Sequence, residues 1–478
     1  MPGLMKRNVR KILLVLWLCG LLSSCSDSTP GNTIIDDPDT PGMNIDVLNS
    51  PYFWSLASVP ADPALFPEAS LKNDVAYGKN RALLAWYTID PVFAQVNSTV
   101  MPGYINNDMD ALSYPYAREV AVAEVFPGRE VPYGEPAVIP TFNLSFYPRE
   151  RGPYNLDGSR IDQEGRLLDP ERRWGGIMRW IDKTNLEALG VKYIQFWILD
   201  PFMDTELGNQ DGGFLYFNLG DVSDDILKDG FKSFESGLPI NGDTTCVTQT
   251  IWGNVPALPP LVYSFVSGAI LLQDVGFDGL SDEEEYNYPT YANYLNELRA
   301  VLPQSTVMEM MNNPFSPFND PAGDNYVYYL NNYYDAKRFT INSRYKYYNN
   351  SQGNSLSQSD AGDSQYQPCR SVPDVESHNR DFSFNEDERF FQYRVAIRPD
   401  SMRVGINYIT DLQESNVRTR NGEIQHAVWY QFTIPLTDYQ KKIGSIRDFS
   451  NIRSLRIFMT GFSGVTHLRF ATLDFVSE

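Results

Sequence analysis

Histidine is nearly missing from this chain of 478 residues: His378, His426 and His467 are the only three, each isolated in sequence and none at metal-ligand spacing. That excludes a zinc centre legible from spacing and leaves little for general acid–base work. A GxSxG elbow, a P-loop and a dinucleotide fingerprint in a fitting context are also missing. Acids are everywhere (60 Asp and Glu), so no glycosidase pair can be singled out. The chain is expected not to be an enzyme. Basic residues are in deficit, 39 against those 60 acids for a net charge of −21. Nucleic acid is therefore excluded as a partner, because affinity for phosphate comes from Lys and Arg clusters. There is no fixed-period repeat, and beyond the N-terminus no apolar run is long enough to cross a membrane.

What is present begins with that N-terminus. Lys6, Arg7, Arg10 and Lys11 form a basic region, and Ile12 to Leu22 is an apolar run of secretory-signal length. It ends in Leu22-Ser23-Ser24-Cys25, the small-residue pattern at which a lipoprotein signal is cut ahead of an acylated cysteine. Residues 1–24 are thus expected to be a signal peptide and Cys25 the lipidated residue; an ordinary signal ending in small residues is the competing reading. Each buried CH₂ of an acyl chain contributes roughly 0.8 kcal/mol, so such a membrane anchor is firm. The Ser, Thr, Pro, Gly and Asp of the stretch that follows make residues 25–45 the acylated cysteine and a flexible tether. Of four cysteines, Cys19 leaves with the signal and Cys25 carries lipid. Cys246 and Cys369 remain, expected to pair as a disulfide in an oxidising compartment, with separate buried thiols as the alternative.

Tyrosine (29) and phenylalanine (27) are abundant, which favours β structure. Strand-like runs of β-branched and aromatic residues occur at 137–146, 192–199, 214–219, 393–397, 426–434, 454–459 and 466–476. Helical spacing is read at 77–89, 108–125, 223–228 and 284–301 (with a break at Pro289), and a short turn at 437–442. The expected fold is mainly β with α insertions: a jelly-roll-like β-sandwich over residues 46–478, with a large tyrosine-rich insertion at about 275–380.

Two segments have the spacing of a calcium loop. In DVGFDGLSDEEE, Asp274, Asp278, the Leu280 carbonyl, Asp282 and Glu285 fall at ligand positions and Gly279 at the sharp turn. Gly276 stands where a further side-chain ligand belongs, so that ligand must come from elsewhere. The same residues equally suit an acidic turn capping the next helix. In SHNRDFSFNEDE the corresponding residues are Ser377, Asn379, Asp381, Ser383 (backbone), Asn385 and Glu388, with Phe382 in place of the glycine; Asp374 or Glu376 could fill in. A solvated polar loop is the competing reading. Calcium, if bound, would be structural. Trp174, Trp180 and Trp197 are candidates to stack on sugars, or simply core residues.

Several blocks carry a family resemblance. They are SPYFWSL (50–56), YGKNRALLAWYTIDP (77–91), FNLSFYPRERGPYNLD (142–157), RWGGIMRWIDKTNLEALGVKYIQFWILDPF (173–202) and GGFLYFNLGDVSDDILKDGFKSFESGLP (212–239). DVGFDGLSDEEE, RYKYYNNSQGNS (344–355) and the run from 392 to 475 continue the series. Over about residues 45–476 the chain resembles the repeated soluble region of the SprA/Sov family, the gliding-motility and type IX secretion translocon of the outer membrane. The resemblance implies a structural, assembly or binding module partnered by translocon components. It also implies an outer-membrane location; the lipobox, a departure from the translocon's ordinary export signal, makes that location lipid-anchored, and the acidic residues after Cys25 favour the cell surface over the periplasmic face. The translocon's ladder of lipid-facing strands is not legible here, so the chain is not expected to be the channel. A paralogue serving the machine, one part of a split translocon and a truncated product are the readings left open. A glycan-binding surface lipoprotein is the alternative.

Overall fold

A computed structural model describes residues 44–48, 50–95, 98–236, 238, 245–257, 273–355, 370, 373–379, 381 and 383–477. Alternating apolar and β-branched runs pair into two antiparallel sheets. The first runs in the order β13 (Ile409–Arg418), β14 (Ile424–Pro435), β8 (Tyr193–Leu199), β17 (Thr466–Val476), β6 (Phe142–Arg151) and β3 (Ala82–Tyr87), with β1 (Asn44–Asp46) also on β17. The second runs β15 (Lys441–Ile443), β12 (Arg389–Ile397), β9 (Gly213–Asp221), β16 (Ser454–Thr460), β7 (Trp174–Trp180) and β2 (Ser55–Leu56). Two small ribbons, β4 (Val120–Ala121) with β5 (Val138–Ile139) and β10 (Val247–Gln249) with β11 (Asn254–Pro256), lie outside them.

The pairing has one logic. Strands β6, β7, β8 and β9 form one arm of a long hairpin, and β12, β14, β16 and β17 form the returning arm. Rung by rung, β6 pairs with β17, β7 with β16, β8 with β14, and β9 with β12. Each arm crosses from sheet to sheet at every step, so the hairpin rolls up into a sandwich. This is a jelly roll. The connection at its tip, residues 222–388, contains the tyrosine-rich insertion.

Between the sheets lies the main core, where Phe196 of β8 and Phe217 of β9 meet with ring centroids 5.4 Å apart. At Gly175 a Cβ would lie 2.7 Å from the Leu84 Cβ, so only glycine lets β7 approach β3 this closely. The first sheet is covered on its outer face as well. Along β3, Leu84 and Trp86 enter the main core, while Ala85 and Tyr87 enter a second cluster with Phe93, Tyr329 and Tyr345. Along β8, Ile194, Phe196 and Ile198 face inward; Trp197 and Leu199 meet Tyr116, Val120 and Val125 in a third cluster.

Composition hides β3 from the sequence reading. Its ALLAWY is buried at every position and has neither alternation nor a β-branched residue, so residues 77–89 mimic a helix. Residues 108–125 give a 3₁₀ turn, β4 and the short helix Val122–Val125, 223–228 is not helical, and 437–442 runs into β15. The helical reading of 284–301 holds, as Asp282–Asn287 and Pro289–Val301, broken at Pro289.

Buried arginines tie the covering loops down by donating to main-chain carbonyls. Arg81 reaches Pro153, Ala57 and Ile226, and Arg469 reaches Pro115 and Arg118. The end of β6 behaves in the same way. There, Arg151 donates to the Pro321 and Asp320 carbonyls and Glu150 takes Lys346 at 2.7 Å, across the fold rather than within their own segment.

Candidate metal centre

Gly276 and Gly279 turn the chain at φ of +69° and +68°, a conformation that side chains rarely adopt. A Cβ on Gly279 would also lie 2.0 Å from the Asn254 carbonyl oxygen. The turn delivers Ser281 to the start of the helix Asp282–Asn287, where its backbone N–H and hydroxyl both donate to Glu284 at 2.9 Å. Capping thus uses Ser281 and Glu284. Asp282 and Glu285 are left on another face, where the loop 316–325 meets them.

That loop brings Asp320 and Asp324. Carboxylate oxygens of Asp282, Glu285 and Asp320 lie within 4.8 Å of one another, and this is the one such group of three among the described residues. Glu285 is fully buried; one of its oxygens accepts from the Ala322 N–H at 2.7 Å and the other, Oε1, has no hydrogen-bond partner. Asp320 accepts from the Gly323 and Asp324 N–H groups, and Asp282 from the Asn325 amide. Asp324 takes the Tyr154 hydroxyl at 2.6 Å, while its Oδ1 has no partner. A Cβ on Gly276 would lie 2.0 Å from Asp324 Oδ2. The carboxylate missing from that loop position is therefore supplied across space by Asp324. Sequence spacing could not show this, since Asp320 and Asp324 lie outside the loop pattern.

The electrostatics follow from burial. Desolvation, followed by the charge on Asp320, pushes Asp282 up to about 6. Desolvation and then neighbouring carboxylates push Glu285 and Asp324 well above the usual range, and burial raises Asp320 despite Arg151. Asp278 is also raised well above it, chiefly by burial, and its carboxylate is taken by the Tyr291 hydroxyl at 2.6 Å and the Leu280 N–H. Asp274 lies apart and accepts from the Gly353 N–H. Of the expected set, Asp282 and Glu285 are brought together, Asp278 adjoins them, and Asp274 is directed elsewhere.

The second expected loop is used differently. Glu388 grips buried Arg456 with both oxygens at 2.8 Å, and the Asn385 amide donates to the Val222 carbonyl. Asp381 is exposed and accepts from Ser383, and the Ser377 hydroxyl donates to Asn379. Glu376 accepts from the Ile226, Leu227 and Ser233 N–H groups. Among the described residues these do not converge on a centre: Arg456 claims Glu388, Val222 claims Asn385, and Asp381 turns to Ser383.

Histidines that look isolated in sequence are networked in space. His378 lies between Asp224 and the Ser454 hydroxyl (Nε2 to Oγ 2.7 Å), an Asp–His–Ser line. Ser454 is only 1 % exposed, inside β16 and hydrogen-bonded on both sides, so substrate has no route to its oxygen. The line holds residues 377–379 to the second sheet. His467 is fully buried beside Ser145, which meets Tyr87 at 2.7 Å, and burial lowers its pKa to about 4. Trp174 and Trp197 are interior, the latter edge-on to Phe126 at 5.9 Å, and Trp180 is half-buried beside His378. Cys246 is exposed, while Cys25 and Cys369 lie outside the described residues.

Fold and site define a class: a jelly-roll sandwich whose hairpin tip carries a buried, all-oxygen acidic centre. Residues 293–478 match the SprA_N family, described as motility related/secretion protein. This is the family that the sequence blocks resemble, and over residues 293–478 the chain is similar to it. No curated protein matches the chain. The match takes in the returning arm of the roll and leaves β6 to β9 outside it. Among the described residues, no helix is long and apolar enough to cross a membrane.

Proposed function

We propose that the chain is an outer-membrane lipoprotein, acylated at Cys25 and facing the cell surface, whose jelly roll is a non-enzymatic assembly or binding module for type IX secretion and gliding motility. The SprA_N match over residues 293–478 carries this reading. The expected tether ends before Asn44, since Asn44 and Ile45 pair with β17 in β1; it would give the sandwich reach from the membrane, and the strongly acidic composition suits protein partners better than nucleic acid. The glycan alternative draws less support, since two of its three tryptophans are interior.

Deletion of the gene, followed by complementation, tests the proposal. Secretion of type IX cargo and colony spreading should fall on deletion and return with the wild-type chain. Cys25→Ala should not restore them and should lose palmitate labelling. Undiminished secretion and spreading in the deletion strain would contradict it.

A further inference from the structure

We propose that Asp282, Glu285 and Asp320 ligate a calcium ion, with Asp324 closing the site in the space that Gly276 leaves, and that this ion fastens the hairpin-tip insertion to the end of β6. Buried carboxylates cost several kcal/mol each when left unpaired, so a protein keeps such a group only with counter-charge or protons. Here Asp278, Asp282, Glu285, Asp320 and Asp324 interact with one another, and the cation acting on them is Arg151. Its guanidinium is directed to main-chain carbonyls rather than to a carboxylate.

A second observation points to an ion. Glu285 Oε1 and Asp324 Oδ1 belong to fully buried side chains and have no hydrogen-bond partner. Glu285 is one of the three residues whose carboxylate oxygens converge within 4.8 Å. A cation at that point would pair the orphaned Glu285 oxygen and offset the mutual repulsion. Its identity follows from the donors. They are carboxylates on a helix and a loop, without histidine or thiol, which suits a hard cation taking six to eight oxygens in flexible geometry. Magnesium demands a tighter octahedron and keeps most of its water.

The position supplies the role. Tyr154, just beyond β6, donates to Asp324, accepts from the Phe277 N–H at 3.0 Å, and gives its own N–H to the Ala322 carbonyl at 2.7 Å. The ion would therefore sit where the roll and its insertion are already stitched together.

Terbium tests this directly, because Tyr154 and Tyr291 hydroxyls lie 2.6 Å from Asp324 and Asp278 and can sensitise its emission. The full-length chain in mild detergent, stripped with EDTA, should give tyrosine-sensitised terbium emission that Ca²⁺ displaces and equimolar Mg²⁺ does not. Its melting temperature should fall in EDTA and recover in Ca²⁺. Glu285→Gln and Asp320→Asn should each weaken terbium binding by more than about tenfold. In EDTA they should melt no lower than the wild type, because each removes a repelling charge, and this shows that they fold. Absence of sensitised emission with unchanged melting, or emission undiminished in both variants, would overturn the assignment.

Discussion

Arg173 and Asp157 form an ion pair 2.9 Å apart that is almost fully withdrawn from water, 0 % and 1 % exposed at their side chains. Removing one partner of such a pair leaves the other charge buried alone, which costs about 3–5 kcal/mol. Arg173→Ala should therefore shift the urea midpoint sharply downward. A shift equivalent to under 1 kcal/mol would show that Asp157 finds other partners. His467 gives a pH prediction. The unfolded chain protonates this histidine near pH 6.5, while the fold resists until about pH 4. Between those values the unfolded state holds more protons, so this residue's contribution falls as pH falls, by at most about 3 kcal/mol. Asp204 favours the charged form and Lys346 opposes it, both weaker than burial. Buried carboxyls such as Asp282 titrate with the opposite sign, so the readout is the difference between wild type and His467→Asn. The wild type should lose more stability than the variant between pH 7 and 4.5. Parallel losses would show that the ring is not held neutral.

At the scale of elements, strands whose runs are rich in β-branched or aromatic residues are legible: 466–476 is β17 to the residue, and β8, β9, β12, β14 and β16 fall within a few residues of the runs read for them. β3 is not, because ALLAWY has neither alternation nor a β-branched residue. The candidate centre is half legible. Asp282 and Glu285 belong to a local loop pattern, whereas Asp320 and Asp324 arrive through folding. The turn between β11 and the helix Asp282–Asn287 gives a prediction of its own. Gly279→Ala adds a methyl against the Asn254 carbonyl at positive φ, and should cost at least about 1 kcal/mol. Denaturant titration showing no loss would mean that the turn relaxes freely.

For the whole molecule, the rolled hairpin makes the family match half of a fold. Among the described residues of 293–478 only the β13–β14 and β12–β15 ladders are internal; β12, β14, β16 and β17 otherwise pair with β6, β7, β8 and β9, and β17 also with β1. The fragment 293–478 expressed alone should lack a cooperative melt and expose its core faces. Adding residues 46–292 in the same chain should restore folding. A cooperative melt for the fragment would mean that the returning arm forms a different sheet by itself.

The most direct test of the proposed secretion role is capture of the tagged full-length chain from its own cell membranes in mild detergent, with partners identified by mass spectrometry. Recovery of the type IX translocon or its accessory subunits, in amounts comparable with the bait, is the predicted result. Bait recovered alone, with the translocon intact in the flow-through, would contradict the account.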